Sequence, residues 1–284
     1  MLAANHPNSF LDAIVLATLF RRPLYCLARG DAFANKFNAR LLNSLNMYPI
    51  YRISEGAENL GHNYATFNIC EDIFKKNGIV FISCEGRCIN EWQLRPLMKG
   101  TARLATGSWQ KKIPLKVLPV GINYQSFHKF GKNIQLNFGD PITESVIDPS
   151  GGFGKNLQYF NNELRTQLES LVVHIDKEDT AAIRNTFEVK QSLFKRILLS
   201  IPALTGCLIH APLYLPIRNL AWKKTKLNDH YDSAMMALLF ITYPFYLLLI
   251  SLTMLAFTHS WLSFLTFLAF PFFAWSYVQL KRQF

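Results

Sequence analysis

His6 and Asp12 stand a short loop apart in Asn5-His6-Pro7-Asn8-Ser9-Phe10-Leu11-Asp12, directly ahead of an apolar stretch. An imidazole titrates near neutral pH and can take the proton of a hydroxyl. A neighbouring carboxylate can fix its tautomer and stabilise the imidazolium that forms. No serine or cysteine stands in a Gly-x-Ser-x-Gly context to act as the attacking group. The simplest chemistry is therefore a substrate that brings the hydroxyl and a protein that brings the base.

Such a pair needs a scaffold, and the chain alternates in a way that supplies one. Residues 12–20 are apolar and end at Arg21-Arg22-Pro23, which predicts a buried helix opened by the His6 loop. Residues 24–28 read as a short apolar strand. Residues 32–45 carry Phe33, Phe37, Leu41, Leu42 and Leu45 at helical spacing. Residues 47–51 form a short strand ending at Arg52, and 63–76 an amphipathic helix closed by Asn77-Gly78. The continuous apolar run 79–83 suits a buried strand that delivers Cys84-Glu85-Gly86-Arg87 at its end. A helix starts within 97–107, strands follow at 115–124 and 133–138, and 157–173 is a long amphipathic helix.

Strands alternating with helices predict an α/β layered domain with a mostly parallel sheet flanked by helices. Ligands of such sheets gather at the C-terminal ends of the strands. Residues 1–5 read as the tail of a strand, so His6, Arg52 and Glu85 each follow a predicted strand and are expected to meet there.

Lys and Arg outnumber Asp and Glu by 30 to 19, a net charge of +11, which calls for an anionic partner. Nucleic acid fits poorly, because no nucleic-acid motif appears and the C-terminal part reads as membrane. A lipid bilayer with anionic headgroups fits both facts. The five cysteines are odd in number and scattered, which argues against a disulfide framework. Cys84 and Cys88 lack a second ligand pair, so no metal site is expected. Reduced thiols fit a cytosolic setting.

The character changes after residue 176. The apolar stretch 197–217 contains Pro202, Gly206, Pro212 and Pro216 and predicts a broken or interfacial segment. Trp222-Lys223-Lys224-Thr225-Lys226 reads as a basic anchor. Residues 234–257 and 261–278 are charge-free, the second near the lower length limit for a span. Lys and Arg flank both outer ends of this pair, which predicts a transmembrane helical hairpin with both ends, and the catalytic domain, on the cytoplasmic face. The expected organisation is a catalytic domain over 1–175, a helical or interfacial linker region over 176–230 and a transmembrane hairpin over 231–284.

Four blocks in order resemble the phospholipid/glycerol acyltransferase family. The His6–Asp12 segment resembles the family's His-x4-Asp block. Tyr48-Pro49-Ile50-Tyr51-Arg52 resembles the second, which ends in arginine. Phe81-Ile82-Ser83-Cys84-Glu85-Gly86-Arg87 resembles the third, built around Glu-Gly. Leu118-Pro119-Val120-Gly121-Ile122 resembles the fourth, an apolar strand with a central proline. The resemblance covers residues 1–140. It departs from the family pattern in spacing, with five residues between His6 and Asp12 instead of four, and in an N-terminus short of the usual preceding helical segment.

The resemblance implies acyl transfer from a thioester, acyl-CoA or acyl-ACP (acyl carrier protein), to a glycerol hydroxyl, as in phospholipid synthesis. The favoured acceptor is 1-acyl-glycerol-3-phosphate (lysophosphatidate). Glycerol-3-phosphate, another lysophospholipid, or a non-catalytic membrane adaptor on the same scaffold are the alternatives. It implies His6 as general base and Asp12 as its orienting partner. It also implies Arg52 on the acceptor phosphate, Glu85 on a glycerol hydroxyl, and Gly86 admitting the backbone close to substrate. Arg87 and Lys99 would add positive field. No resident cofactor or metal is expected, the acyl donor being a substrate.

Overall fold

The computed structural model describes residues 1–52, 61–148 and 150–281. They divide into two compact units. One holds residues 1–123 and 135–177, the other 124–134 and 178–284.

The first unit is built on a six-stranded sheet: β1 (Leu2–Ala4), β2 (Leu24–Arg29), β3 (Met47–Ile50), β4 (Ile79–Ser83), β5 (Leu118–Tyr124) and β6 (Ile134–Phe138), in the order β3-β2-β4-β1-β5-β6. The pairs β2–β3, β2–β4, β1–β4 and β1–β5 are all parallel. Central β1 pairs Ala4 with Ser83 on one side and with Val120 on the other. Its three residues are buried, as are Val80, Phe81 and Ile82 of β4. Such two-sided burial is what a continuous apolar run predicts for an inner parallel strand.

Helices cross between the strands, α1 (Phe10–Ala17), α2 (Lys36–Ser44), α3 (Asn63–Lys75) and α4 (Lys99–Gln110), and α5 (Phe153–Leu171) follows the last strand. Leu157, Phe160, Leu164 and Leu168 recur at helical spacing along α5 and are buried, with the Phe160 ring 5.8 Å from that of Trp109 on α4. Pro49 lies in β3, at the sheet edge, where a missing N–H is tolerated. Pro119 lies in β5, between β1 and β6, and its carbonyl accepts from Gly139 just past the end of β6.

The second unit contains the turn 124–134 and four helices: α6 (Thr180–Phe187), α7 (Leu193–Thr225), α8 (Tyr231–Thr258) and α9 (Thr266–Leu280). Three apolar helices, Leu193–Thr225, Tyr231–Thr258 and Trp261–Leu280, are long enough to cross a bilayer. The expected hairpin is present as α8 and α9. The stretch expected to be broken is instead one helix, α7, running through Pro202, Pro212 and Pro216. Side chains reach carbonyls in the turns before Pro212, as membrane helices allow. The Tyr246 hydroxyl of α8 donates to the Ile209 carbonyl, and His210 Nδ1 lies 2.7 Å from the Gly206 carbonyl and Nε2 3.0 Å from the Tyr243 hydroxyl. A Cβ on Gly206 would collide with the Phe273 carbonyl, so α7 and α9 touch backbone to backbone there. Lys132 pairs with Asp232, both buried, and Lys281 Nζ donates to the Phe130 carbonyl at 2.7 Å.

Candidate active site

β1 ends against both neighbours, and this fixes where His6 begins. The Ala4 carbonyl accepts from Cys84 N–H at 2.8 Å, an extension of the β1–β4 ladder. The Asn5 carboxamide closes on the Ile122 backbone in both directions. Its Nδ2 donates to the carbonyl at 3.0 Å, and its Oδ1 accepts from the N–H at 2.8 Å.

The loop that follows is held residue by residue. The His6 carbonyl accepts from Ile89 N–H at 3.3 Å, and the Pro7 carbonyl accepts from Asn90 Nδ2 at 2.7 Å. Ser9 N–H donates to Cys88 Sγ at 3.0 Å. Ser9 itself sits at φ 52°, a region that costs a non-glycine residue energy and recurs at functional sites. That turn lets α1 start at Phe10 and puts Asp12 in its first turn, where the helix dipole favours negative charge.

Asp12 is fully buried, and its Oδ2 lies 2.9 Å from His6 Nδ1 and accepts from Asn8 N–H at 3.1 Å. A carboxylate only accepts, so Nδ1 carries the proton and Nε2 is left with a free lone pair. His6 keeps 21% of its side chain exposed, so the base reaches solvent while its partner does not. The longer spacing between the two residues is absorbed by the Ser9 turn.

Glu85, at the end of β4, is buried. Its Oε2 accepts from His6 N–H at 2.7 Å and its Oε1 from Arg95 N–H at 2.8 Å. Burial pushes its carboxyl above the usual range, while the two backbone donors pull the other way. In this structure the group acts as a brace between the two loops. Gly86 follows at φ 66°, and a Cβ there would sit 2.9 Å from Met98 Cγ. Its carbonyl accepts from the Arg52 guanidinium at 2.8 Å.

Arg52 is delivered by β3, which α3 holds in place. Asn63 Oδ1 accepts from Tyr51 N–H at 2.7 Å, and its Nδ2 donates to the Tyr51 carbonyl at 2.8 Å. The Thr66 hydroxyl donates to the Pro49 carbonyl at 2.7 Å. His6, Asp12, Glu85, Gly86 and Arg52 thus form one connected group at the C-terminal edge of the sheet. Arg87 and Lys99 are exposed on the segment leading from β4 into α4, and no hydrogen bond among the described residues joins them to that group.

The positioning residues Asn5, Asn63, Cys88, Asn90 and Arg95 were not singled out from sequence. Their roles are backbone hydrogen bonds across the fold, for which only a polar residue beside a strand end gives a signal. Cys84 is buried and its thiol is pushed up to about 12, which makes it inert. Among the described residues no group of three or more His, Cys, Asp or Glu side chains is placed to hold a metal ion.

The described residues thus place a histidine–aspartate pair at the C-terminal edge of a mostly parallel α/β sheet. Residues 1–123 match the family model described as Acyltransferase, and this segment belongs to that family. The match contains all four blocks and every site residue above. No curated protein and no solved structure matches the chain.

Proposed function

We propose that this acyltransferase moves a fatty acyl chain from acyl-CoA or acyl-ACP to the free hydroxyl of 1-acyl-glycerol-3-phosphate, giving phosphatidate. The observation that carries the reading is the 2.9 Å contact of His6 Nδ1 with buried Asp12, which leaves Nε2 as the base. His6 takes the acceptor's hydroxyl proton as that oxygen attacks the thioester carbonyl. The carbon–sulfur bond then breaks, and the imidazolium returns the proton to the leaving thiolate. Such base catalysis contributes roughly 100- to 10,000-fold.

Arg52 meets the acceptor phosphate, since a guanidinium pairs with two phosphate oxygens at once. Arg87 and Lys99 add positive field at the mouth of the site. The reaction draws on no resident cofactor, because the activated acyl group arrives with its donor. The apolar helices keep the enzyme in the bilayer where acceptor and product reside, and the catalytic domain faces the cytoplasm, where thioester donors are made.

The test is thiol release by the full chain in lipid, with acyl-CoA or acyl-ACP as donor and lysophosphatidate or glycerol-3-phosphate as acceptor. Release that needs lysophosphatidate and vanishes in His6→Ala is expected. Release only with glycerol-3-phosphate would move the acceptor, and full activity in His6→Ala would remove the mechanism.

A further inference from the structure

Helix α2 buries none of its residues. Phe37, Leu41 and Leu45, spaced by four, line one face and are 74%, 51% and 52% exposed. Burying side chains of this size is worth about 1.5–3 kcal/mol each, so such a stripe is unfavourable in water. Lys36 and Arg40 flank it, both exposed, and neither forms an ion pair among the described residues. The helix contains no acidic residue, and the nearest in sequence, Asp31, is held by Arg29 through Nε at 2.6 Å.

We infer that α2 is a membrane-docking helix of the catalytic domain, seated on an anionic bilayer surface. Three observations select this occupant. The stripe is apolar with cations on its border, the pattern of an interfacial helix. Lys36 and Arg40 have no ion-pair partner among the described residues, and anionic headgroups complement them. The same chain carries three helices long and apolar enough to cross a membrane, so a bilayer is always within tether length.

The placement adds a consequence. β2 and β3 are parallel, so α2, which connects them, runs back against the strands. Its first turn, with Lys36 and Phe37, therefore starts at the sheet edge that carries His6, Glu85 and Arg52. Docking through α2 sets that edge beside the lipid surface. The inference rests on α8 and α9 lying in a membrane and is independent of which acyl acceptor is used.

The test places the photo-crosslinker p-benzoylphenylalanine singly at Phe37, Leu41, Tyr159 or Phe240 of the full chain, reconstituted in nanodiscs. Tyr159 is an exposed control on α5, and Phe240 is 82% exposed on the apolar helix α8. Mass spectrometry scores lipid adducts after illumination. Lipid adducts at Phe37, Leu41 and Phe240 and none at Tyr159 are expected. The two α2 adducts should be lost in zwitterionic discs and in a Lys36→Glu, Arg40→Glu background. Adducts at Phe240 with none at Phe37 or Leu41 would overturn the proposal, as would α2 adducts to a second copy of the chain. Absence of adduct at Phe240 would overturn the membrane reading and the proposal with it.

Discussion

His6 and Asp12 are joined by a 2.9 Å contact in which the aspartate is wholly buried and the histidine is not. The same Asp12 oxygen also accepts from the Asn8 backbone, so the carboxylate is fixed before it fixes the imidazole. Asp12→Asn keeps the shape but can turn an amide N–H toward Nδ1, which favours the wrong tautomer. Turnover should fall by about 100- to 10,000-fold while the acceptor KM changes little. Steady-state kinetics beside a thermal melt check this. A variant with near-normal turnover would mean that His6 is not orientated through Asp12.

Glu85 binds two backbone N–H groups with two carboxylate oxygens, so its value lies in having two acceptors. Glu85→Gln supplies one acceptor and faces the other N–H with an amide donor. A buried donor left unpaired costs about 1–3 kcal/mol, and a lowered melting temperature together with lowered turnover is expected. The pH dependence has a definite sign. The folded-state pKa is raised above the unfolded one, so the native protein binds this proton more readily. Stability from this group is full below the ordinary carboxylate range and declines as pH rises through the raised value. The melting-temperature advantage of wild type over Glu85→Gln should therefore shrink as pH climbs through that window. A gap that widens with pH would contradict the raised folded-state value.

Arg52 and Gly86 hold each other, the guanidinium donating to the carbonyl at 2.8 Å. Arg52→Lys retains charge but loses the planar fork, so the KM for a phosphate-bearing acceptor should rise by roughly tenfold or more, with a smaller effect on turnover. Gly86→Ala meets a positive φ and the nearby Met98 side chain. It should shift the Glu85 and Arg52 supports together and lower both activity and stability. Acceptor titrations of both variants decide it. An unchanged KM in Arg52→Lys would take the phosphate away from this residue.

Much of this site was legible because its parts sit where strands end. His6, Arg52 and Glu85 follow β1, β3 and β4, and period and composition alone located those strands to within a residue or two. What could not be read was pairing across distance. Asn5 locks to Ile122 and Asn63 to Tyr51 through geometries that exist only once the sheet has formed. The helix Thr180–Phe187 lies within the stretch read only as a helical or interfacial linker, and its bounds were not legible because it is short and capped by Asp179 with no long apolar period. The prolines of α7 misled for a physical reason. A proline removes one backbone donor, and a neighbouring helix can serve the freed region, which the local sequence does not record.

The contacts of α7 with the end of α9 bear on how many of the three apolar helices cross a bilayer. Lys195, in the first turn of α7, donates to Gln279 at 2.6 Å, and Lys281 lies 5.9 Å over the ring of Tyr214, much further along the same helix. Both stretches of α7 thus reach the C-terminal end of α9. The prolines at 202, 212 and 216 are points at which a helix can kink. If α7 kinks there and lies along one face, only α8 and α9 cross, and the two outer ends of that pair lie on the same side of the bilayer. A tag after Phe284 and a protease site in the turn between α5 and α6 should be cut together in vesicles that expose one face. Protection of one site while the other is cut would make α7 a third crossing and place the two ends of the chain on opposite sides.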